Sequence, residues 1–424
     1  MLEAKERSVT EVVYPKFRWF VLFAYVVVTT ATAFSMISPA PMIGEIVRTM
    51  GIDPGVATAA TMMSFNLFMG IFAFGGGFLL DKIGVSRMWI ICLAVVAAGS
   101  LLMPVIGTTI PGLVFCRLLH AAGTGPIMAS IAAISSQRFK MKERTYVAAF
   151  QGFSVAFGVA LGLFSLPRML AATGSWTSAL AWTSVFPIVA IVLAGIVLFG
   201  PKPPVAQIAS PINGAVNGSS NDFKVALMYS TVYVLALMGL IDSWCQRTYD
   251  GMMPGFYAIA APVGLGLGPM GSVKLSLAPI FMMAGALVAP FVNDVIFKGN
   301  PKPTIFSGLT IAAFAILTVQ TLSANSNDFM LMGIPCIVLF FSSFVNPTIF
   351  GYVAKHYPAN IAGRLGGFIM FFFVFGSTFG LGISSYLLSK THSYSSTFLL
   401  LAGVTFLGAI AVLFLKPPKG FEKA

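Results

Sequence analysis

Twelve stretches of about 20 or more mostly apolar residues follow one another along this chain, and that is the length an α-helix needs to cross the hydrocarbon core of a bilayer. They lie at about 17–41, 56–80, 88–109, 111–135, 146–170, 177–200, 224–246, 272–297, 303–324, 329–354, 366–389 and 396–416. A backbone buried in lipid must pair its polar groups within the segment or around a closed barrel. These runs are too long, and too free of alternation, to be barrel strands. The sequence therefore predicts an all-α membrane protein with twelve transmembrane helices. Composition agrees. Of 424 residues, 57% are hydrophobic and 9% charged, with a mean hydropathy of +0.90; a soluble domain carries roughly 25% charged residues. So few charges cannot clothe a water-facing surface.

The net charge of +12 would point to nucleic acid in a soluble protein. Here the cations sit in short connections between apolar runs. With both termini placed in the cytoplasm, all but six of the 25 Lys and Arg fall on that side; the six are Arg48, Arg117, Arg168, Arg247, Lys274 and Lys390. This is the positive-inside pattern, and it predicts a multi-pass protein of the cell membrane that binds the lipid bilayer and no nucleic acid. No small-residue cleavage site precedes the end of the first run, so that run is expected to stay as a helix.

Residues 201–224, PKPPVAQIASPINGAVNGSSNDFK, are rich in Pro, Ser, Asn and Gly and read as a flexible linker. They divide the chain into a tail (1–16), a six-helix bundle (17–200), a linker (201–223), a second six-helix bundle (224–416) and a short tail (417–424). The sequon at Asn217 falls in the cytoplasmic linker, where glycosylation is not expected. The halves echo each other. GPIMASIAAISSQRFKMKERTYVAAFQGF (125–153) and NPTIFGYVAKHYPANIAGRLGGFIMF (346–371) each place a Pro in the helix, Pro126 or Pro347. Each then has a basic loop and an Arg, Arg144 or Arg364, at the start of the next helix. Repeats of this kind imply a substrate path between the halves near the midplane.

The connection between the second and third runs reads Gly77-Phe-Leu-Leu-Asp81-Lys82-Ile-Gly84-Val-Ser-Arg87. Gly84 suits a tight turn, and Lys82 and Arg87 anchor the loop at the inner face. The spacing Gly-x-x-x-Asp-Lys-x-Gly-x-x-Arg resembles the signature loop of the major facilitator superfamily. With twelve runs and a 6+6 split, the resemblance covers nearly the whole chain. It implies two pseudo-symmetric six-helix bundles that rock about a central site, moving solute by alternating access without ATP. In that family the loop is a conformational latch, which assigns Gly77, Asp81, Lys82, Gly84, Arg87, Arg144 and Arg364 to that role. The corresponding second-half stretch, Pro290-Phe-Val-Asn-Asp294-Val-Ile-Phe-Lys298, lacks the leading Gly and the Gly after the Asp. GLGLGPMG (264–271) is Gly-rich but follows no strand, so it does not read as a nucleotide loop.

Ionisable residues inside spans are costly and usually functional. Arg117 lies in the outer third of the fourth run, and His120 follows one turn later on nearly the same face. In VFCRLLHAAGTGP (114–126) this resembles the family's helix-four pattern of an Arg, a polar residue and close glycines. Arg117 is a candidate anion ligand and His120 a candidate proton carrier. A packing role, with Arg117 on helix carbonyls or paired with Asp242, is the competing reading. Asp242 is a second candidate proton carrier, or a static partner of Arg117 or Arg247. Lys274 is a candidate anion-attracting group of an outer vestibule. Tyr25, Gln151 and Asn346 are candidate hydrogen-bond partners of a substrate, Asn346 especially because Pro347 frees a backbone carbonyl nearby.

Helix five, GFSVAFGVALGLFSLPR (152–168), lacks the Gly-Pro pair usual in the family's drug–proton antiporters, and the stretch PKPPVAQ lacks the charged signatures of its sugar porters. What remains is a core with more cations than acids. The expectation is a proton-coupled transporter of a small organic anion, a carboxylate or sulfonate, resembling the family's organic-acid porters and working as a monomer. An exporter of amphipathic compounds is the alternative. A membrane enzyme is remote, because paired carboxylates and metal-spaced His clusters are missing. Cys92, Cys116, Cys245 and Cys336 lie in apolar runs without ligand spacing and read as packing residues. Neither metal nor cofactor is expected.

Overall fold

The computed structural model describes residues 15–139, 144–202, 220–356 and 359–416, and these residues fold into helices and connections without a strand. The tails, most of the linker and the basic loop 140–143 lie outside the described residues. Among the described residues, ten helical segments are long and apolar enough to cross a membrane. Two further helices of 29 residues, Ile110–Arg138 and Ser230–Ala258, occupy the places of the fourth and seventh runs. Each carries ionisable residues in mid-helix, which lowers its hydropathy. We number these twelve segments as spans 1–12.

Span 1 begins as Phe17–Ile37 and stops at Ser38, because Pro39 and Pro41 offer no N–H to continue the ladder. A 3₁₀ turn, Ala40–Met42, and a short helix, Ile43–Met50, finish it. Span 2 starts at Pro54–Thr58, passes through a π turn, Ala59–Met63, and runs on as Ser64–Ile83. Asp53 caps its start, Oδ1 accepting from the N–H of Gly55 at 2.8 Å and of Val56 at 3.3 Å. Gly84, at φ +78°, makes the turn into span 3, Val85–Leu101. Span 4 is Ile110–Arg138, span 5 Arg144–Thr173, and span 6 joins Trp176–Trp182 to Val185–Phe199. Span 7 is Ser230–Ala258. Span 8 comprises a 3₁₀ turn Pro269–Leu275, Ala278–Phe291 and a π turn Val292–Ile296. Span 9 is Pro301–Val319. Span 10 is broken between Asp328–Ser342 and Val345–His356, and spans 11 and 12 are Ala359–Thr391 and Tyr394–Val412.

Packing obeys one rule twice. Span 1 lies on span 5, 2 on 4, 3 on 4 and 3 on 6; raising every number by six gives 7 on 11, 8 on 10, 9 on 10 and 9 on 12, and all four pairings occur. The two halves therefore have the same internal architecture. Large apolar side chains such as Phe23, Phe199, Phe371 and Tyr386 remain exposed on the outside, as lipid contact requires.

The halves are not equally close along their length. At the end that carries the termini, each half keeps its own core: Val21, Trp89 and Phe139 in one, Leu235, Ile305 and Val353 in the other. Toward the far end a single core joins them, with Met36, Met62, Phe65 and Leu163 packed into one cluster with Cys245, Tyr249, Met252 and Leu381. Spans 1 and 2 reach spans 7 and 11 here, and span 5 reaches span 8. The molecule is sealed at its far end.

Candidate functional site

The guanidinium of Arg117 is fully buried and fully occupied. Nε donates to the carbonyl of Thr61 at 2.7 Å, Nη1 to that of Ser35 at 2.9 Å, and Nη2 to that of Met36 at 2.7 Å. Local sequence explains why those carbonyls can accept, that of Ser35 also taking a hydrogen bond from Ser38 Oγ at 2.9 Å. Pro39 cannot donate to Ser35, span 1 ends one residue after Met36, and Thr61 lies in the π turn of span 2. A cation at a helix C-terminus also answers the helix dipole. The guanidinium stands over the ring of Phe65, 4.5 Å from its centroid.

A polar chain leads away from Arg117. Its Nη1 also meets His120 Nδ1 at 3.1 Å, and His120 Nε2 meets Ser100 Oγ at 3.0 Å. A guanidinium only donates, so Nδ1 accepts and the ring proton is on Nε2. Ser100 Oγ lies 2.9 Å from Thr183 Oγ1, which donates to the carbonyl of Leu180 at 2.6 Å. Every member runs donor to acceptor, and the chain ties spans 4, 3 and 6 together. His120 lies in the first half toward the end away from the termini, 1% exposed, with both ring nitrogens engaged. Arg117 therefore sits on helix carbonyls, and Asp242 is not among its partners.

Span 7 carries a different arrangement. Asp242 is fully buried; Oδ1 accepts from Gln246 Nε2 at 2.9 Å, and Oδ2 has no hydrogen-bond partner. Arg247 lies beyond it, toward the sealed end, with 29% of its side chain exposed. Its nearest carboxylate oxygen is Asp250 Oδ2 at 3.8 Å, outside hydrogen-bond range, and it reaches Met36 Sδ of span 1 at 4.0 Å. Among the described residues, no carbonyl or carboxylate accepts a hydrogen bond from it. Asp250, 12% exposed, borders a small void of about 10 Å³ between span 7, Leu163 of span 5, Leu275 of span 8 and Leu339 of span 10.

The other predicted ligands are dispersed. Tyr25 is buried in the first half, its ring 6.0 Å from that of Trp89. Gln151 donates from Nε2 to the carbonyl of Met128 at 3.1 Å, joining spans 5 and 4. Lys274 pairs with Asp328, which ties the start of span 8 to the start of span 10 at the far end. Asn346 is exposed beside the break in span 10. Lys82 and Arg87 are exposed on either side of Gly84. Gly77, Asp81, Arg144 and Arg364 lie in helices, and their side chains fall outside the described residues. In the second half, Asn293 Nδ2 donates to Asp294 Oδ1 at 2.8 Å, and Thr304 Oγ1 to Asn293 Oδ1 at 3.2 Å. Among the described residues no group of His, Cys, Asp and Glu has the arrangement of a metal site.

The family profile for the Major Facilitator Superfamily matches residues 22–373 and, again, residues 275–423. The chain belongs to the Major Facilitator Superfamily. As a member of that superfamily it is a multi-pass membrane transporter and not an enzyme. Solved major facilitator structures share the fold at low identity. A nucleoside transporter, NupG, covers 93% of this chain and 99% of its own at a TM-score of 0.72 and 14% identity. A bacterial homologue of the human lysosomal transporter Spinster, solved in an inward-facing and unoccupied conformation, covers 95% of both chains at a TM-score of 0.71 and 14% identity. Among curated proteins, a hexuronate transporter of Bacillus subtilis (strain 168) is 20% identical over 396 residues, 88% of this chain and 90% of its own.

In the sequence Arg247 follows directly on the seventh run, where nothing in its spacing marks it as more than a partner of Asp242. The signal that singles it out is three-dimensional. Arg117 follows a Pro-x-Pro break on span 1 whose carbonyls absorb its charge, and no such break faces Arg247.

Proposed function

We propose that this protein moves a small organic anion across the membrane by alternating access, coupled to protons, with Arg247 holding the anionic group. The observation that carries this reading is the contrast between two arginines inside the spans. Arg117 is fully buried and spends its donors on three carbonyls and a histidine, whereas Arg247 is 29% exposed between the halves, with a loose ion pair to Asp250 at 3.8 Å and no oxygen within hydrogen-bond range. A partly desolvated guanidinium short of hydrogen bonds favours an anion, and a carboxylate or sulfonate satisfies it with two parallel bonds. The name of the curated relative, a hexuronate transporter, points to a carboxylate-bearing sugar as the first probe. In this reading Gln246 and Asn346 supply hydrogen bonds to the rest of the solute. Lys274 attracts anions at the outer mouth, and the termini face the cytoplasm, so the far-end seal is the outer gate.

Thermal melting of the purified protein with glucuronate, other carboxylates, sulfonates, neutral sugars and cationic dyes tests this, because a ligand that binds only the folded state raises the melting temperature. Stabilisation by an anion that is lost in Arg247→Ala is the expected result. Stabilisation by dyes alone would turn the reading toward efflux of amphipathic compounds.

A further inference from the structure

Three side chains inside the spans are candidates to carry a coupled proton, and their surroundings differ. His120 is closed on both sides: Nδ1 accepts from Arg117 and Nε2 is bonded to Ser100. A proton added at Nδ1 would break the first bond and set a second cation against a guanidinium. Asp242 is fully buried, and the hydrogen bond to its carboxylate comes from Gln246 of its own helix. Asp250 alone stands where the two halves meet and beside a cation that lacks a better partner.

We propose that Asp250 carries the coupled proton and that it does so by competing with the substrate for Arg247. This rests on the reading of Arg247 as the anion hook. Asp250 is three residues beyond Arg247, on the same face of span 7, so its carboxylate is a tethered competitor for the guanidinium. The groups from other spans that line the void beside Asp250 are Leu163 of span 5, Leu275, Ala278 and Pro279 of span 8, and Leu339 of span 10, none of them titratable. The titratable neighbours are on span 7 itself: Arg247, Tyr249 and Cys245. Arg247 is thus the cation whose pairing decides the charge of Asp250.

The exchange balances. With no substrate, the Asp250 carboxylate faces the Arg247 guanidinium. A proton from the aqueous side binds one carboxylate oxygen and makes a neutral acid, which releases Arg247. The substrate carboxylate then takes the guanidinium. One proton and one monovalent anion enter the site together, so the site's net charge is the same empty and loaded. On release of the anion, the proton leaves Asp250 and the internal pair re-forms. The device yields symport, and for a monoanion the transport is electroneutral.

The test uses the full chain in proteoliposomes with radiolabelled glucuronate. A pH gradient drives accumulation in the wild type, while a membrane potential without a pH gradient does not. Asp250→Asn is expected to lose gradient-driven accumulation yet keep exchange of external for internal glucuronate within about threefold of wild type, because Asn leaves Arg247 free for the anion. Asp250→Glu restores accumulation. Arg247→Ala loses both modes. Gradient-driven accumulation by Asp250→Asn would overturn the proposal. So would loss of exchange together with accumulation, which marks a structural role. A readout without substrate separates this proposal from the anion reading. On acidification of the purified protein, the infrared carbonyl band of protonated carboxyls is expected to grow by one component more in wild type and Asp242→Asn than in Asp250→Asn. A wild-type minus Asp250→Asn difference that lacks this component refutes the assignment, whatever the protein proves to transport.

Discussion

Arg117 and Arg247 meet the same residue, Met36, from opposite halves of the molecule. Arg117 donates to its carbonyl at 2.7 Å, and Arg247 reaches only its sulfur, at 4.0 Å. The first contact closes a helix end and the second leaves a cation wanting. Opposite phenotypes follow. In a place where water cannot replace it, Arg117→Ala strips the carbonyls of Thr61 and Met36 of their side-chain donor, while that of Ser35 keeps Ser38 Oγ. Each orphaned acceptor costs about 1–3 kcal/mol, so the variant is expected to lose about 2 kcal/mol or more. Arg247→Ala is expected to melt within a few degrees of wild type and to bind the anion at least about tenfold more weakly. Melting and ligand titration of both variants in detergent check the pair. An Arg117→Ala protein of normal stability that has lost anion binding would reverse the two assignments.

The polar chain from Arg117 depends on a missing side chain. A Cβ on Gly99 would stand 2.9 Å from His120 Cδ2 and 3.0 Å from the carbonyl of Cys116. His120 is pinned at both nitrogens and cannot retreat without breaking the chain to Ser100. Gly99→Ala is therefore expected to cost about 1–3 kcal/mol, as overpacking of a tight interior does. Gly195 in span 6 is the control, since nothing lies within 4 Å of its added Cβ. Gly195→Ala is expected to be neutral or slightly stabilising, because Ala is the better helix former. Equal melting temperatures for the two variants would show that the chain is not tightly fixed.

How far the residues announce this architecture depends on the range of the interaction. Each span follows from its own apolar run, and the break in span 1 follows from Pro39 and Pro41, because a missing N–H acts within four residues. The turn at Gly84 is local in the same way. Arg117 and His120 are legible as a pair from their spacing. What Arg117 does is not, since its acceptors Ser35, Met36 and Thr61 lie 82, 81 and 56 residues away in sequence. Lys274 meets Asp328 across 54 residues, and no periodicity links them. The carbonyls that surround Arg117, and their lack around Arg247 among the described residues, are seen only in three dimensions.

The seal at the far end has a contact point that a methyl group can test. Gly55, in the first turn of span 2, lies so close to span 11 that an added Cβ would meet the carbonyl of Ser385 and stand 2.7 Å from the backbone nitrogen of Ser389. Both are backbone atoms of the opposite half, so relief requires the halves to part. Cys245 is a native reporter, fully buried in the core that joins the halves. Gly55→Ala is expected to raise the alkylation rate of Cys245 about tenfold, the change that roughly 1.4 kcal/mol of closure would produce. An unchanged rate would mean that span 2 shifts on its own and the seal does not depend on this contact.

A second link across the same face is an ion pair when His392 is protonated. Asp53 uses Oδ1 to cap span 2 and presents Oδ2 to His392 Nδ1 of the span 11–12 connection at 3.0 Å. The pair joins the two halves, and His392 is held at φ +50°, a conformation a non-glycine residue seldom adopts. The imidazole side chain is 68% exposed, so water and salt screen the attraction. Its contribution to closure is therefore expected to be about 0.2–1 kcal/mol, well below that of the packed core. Asp53→Asn separates the two jobs of the residue. Asn caps a helix as well as Asp does but carries no charge for His392. The variant is expected to keep the melting temperature of the wild type. It is expected to raise Cys245 alkylation no more than about fivefold at low ionic strength, and to erase the difference between low and high salt that the wild type shows. Salt sensitivity that persists in Asp53→Asn would assign the far-face electrostatics to other charges, of which the Lys274–Asp328 pair on the same face is the nearest in kind.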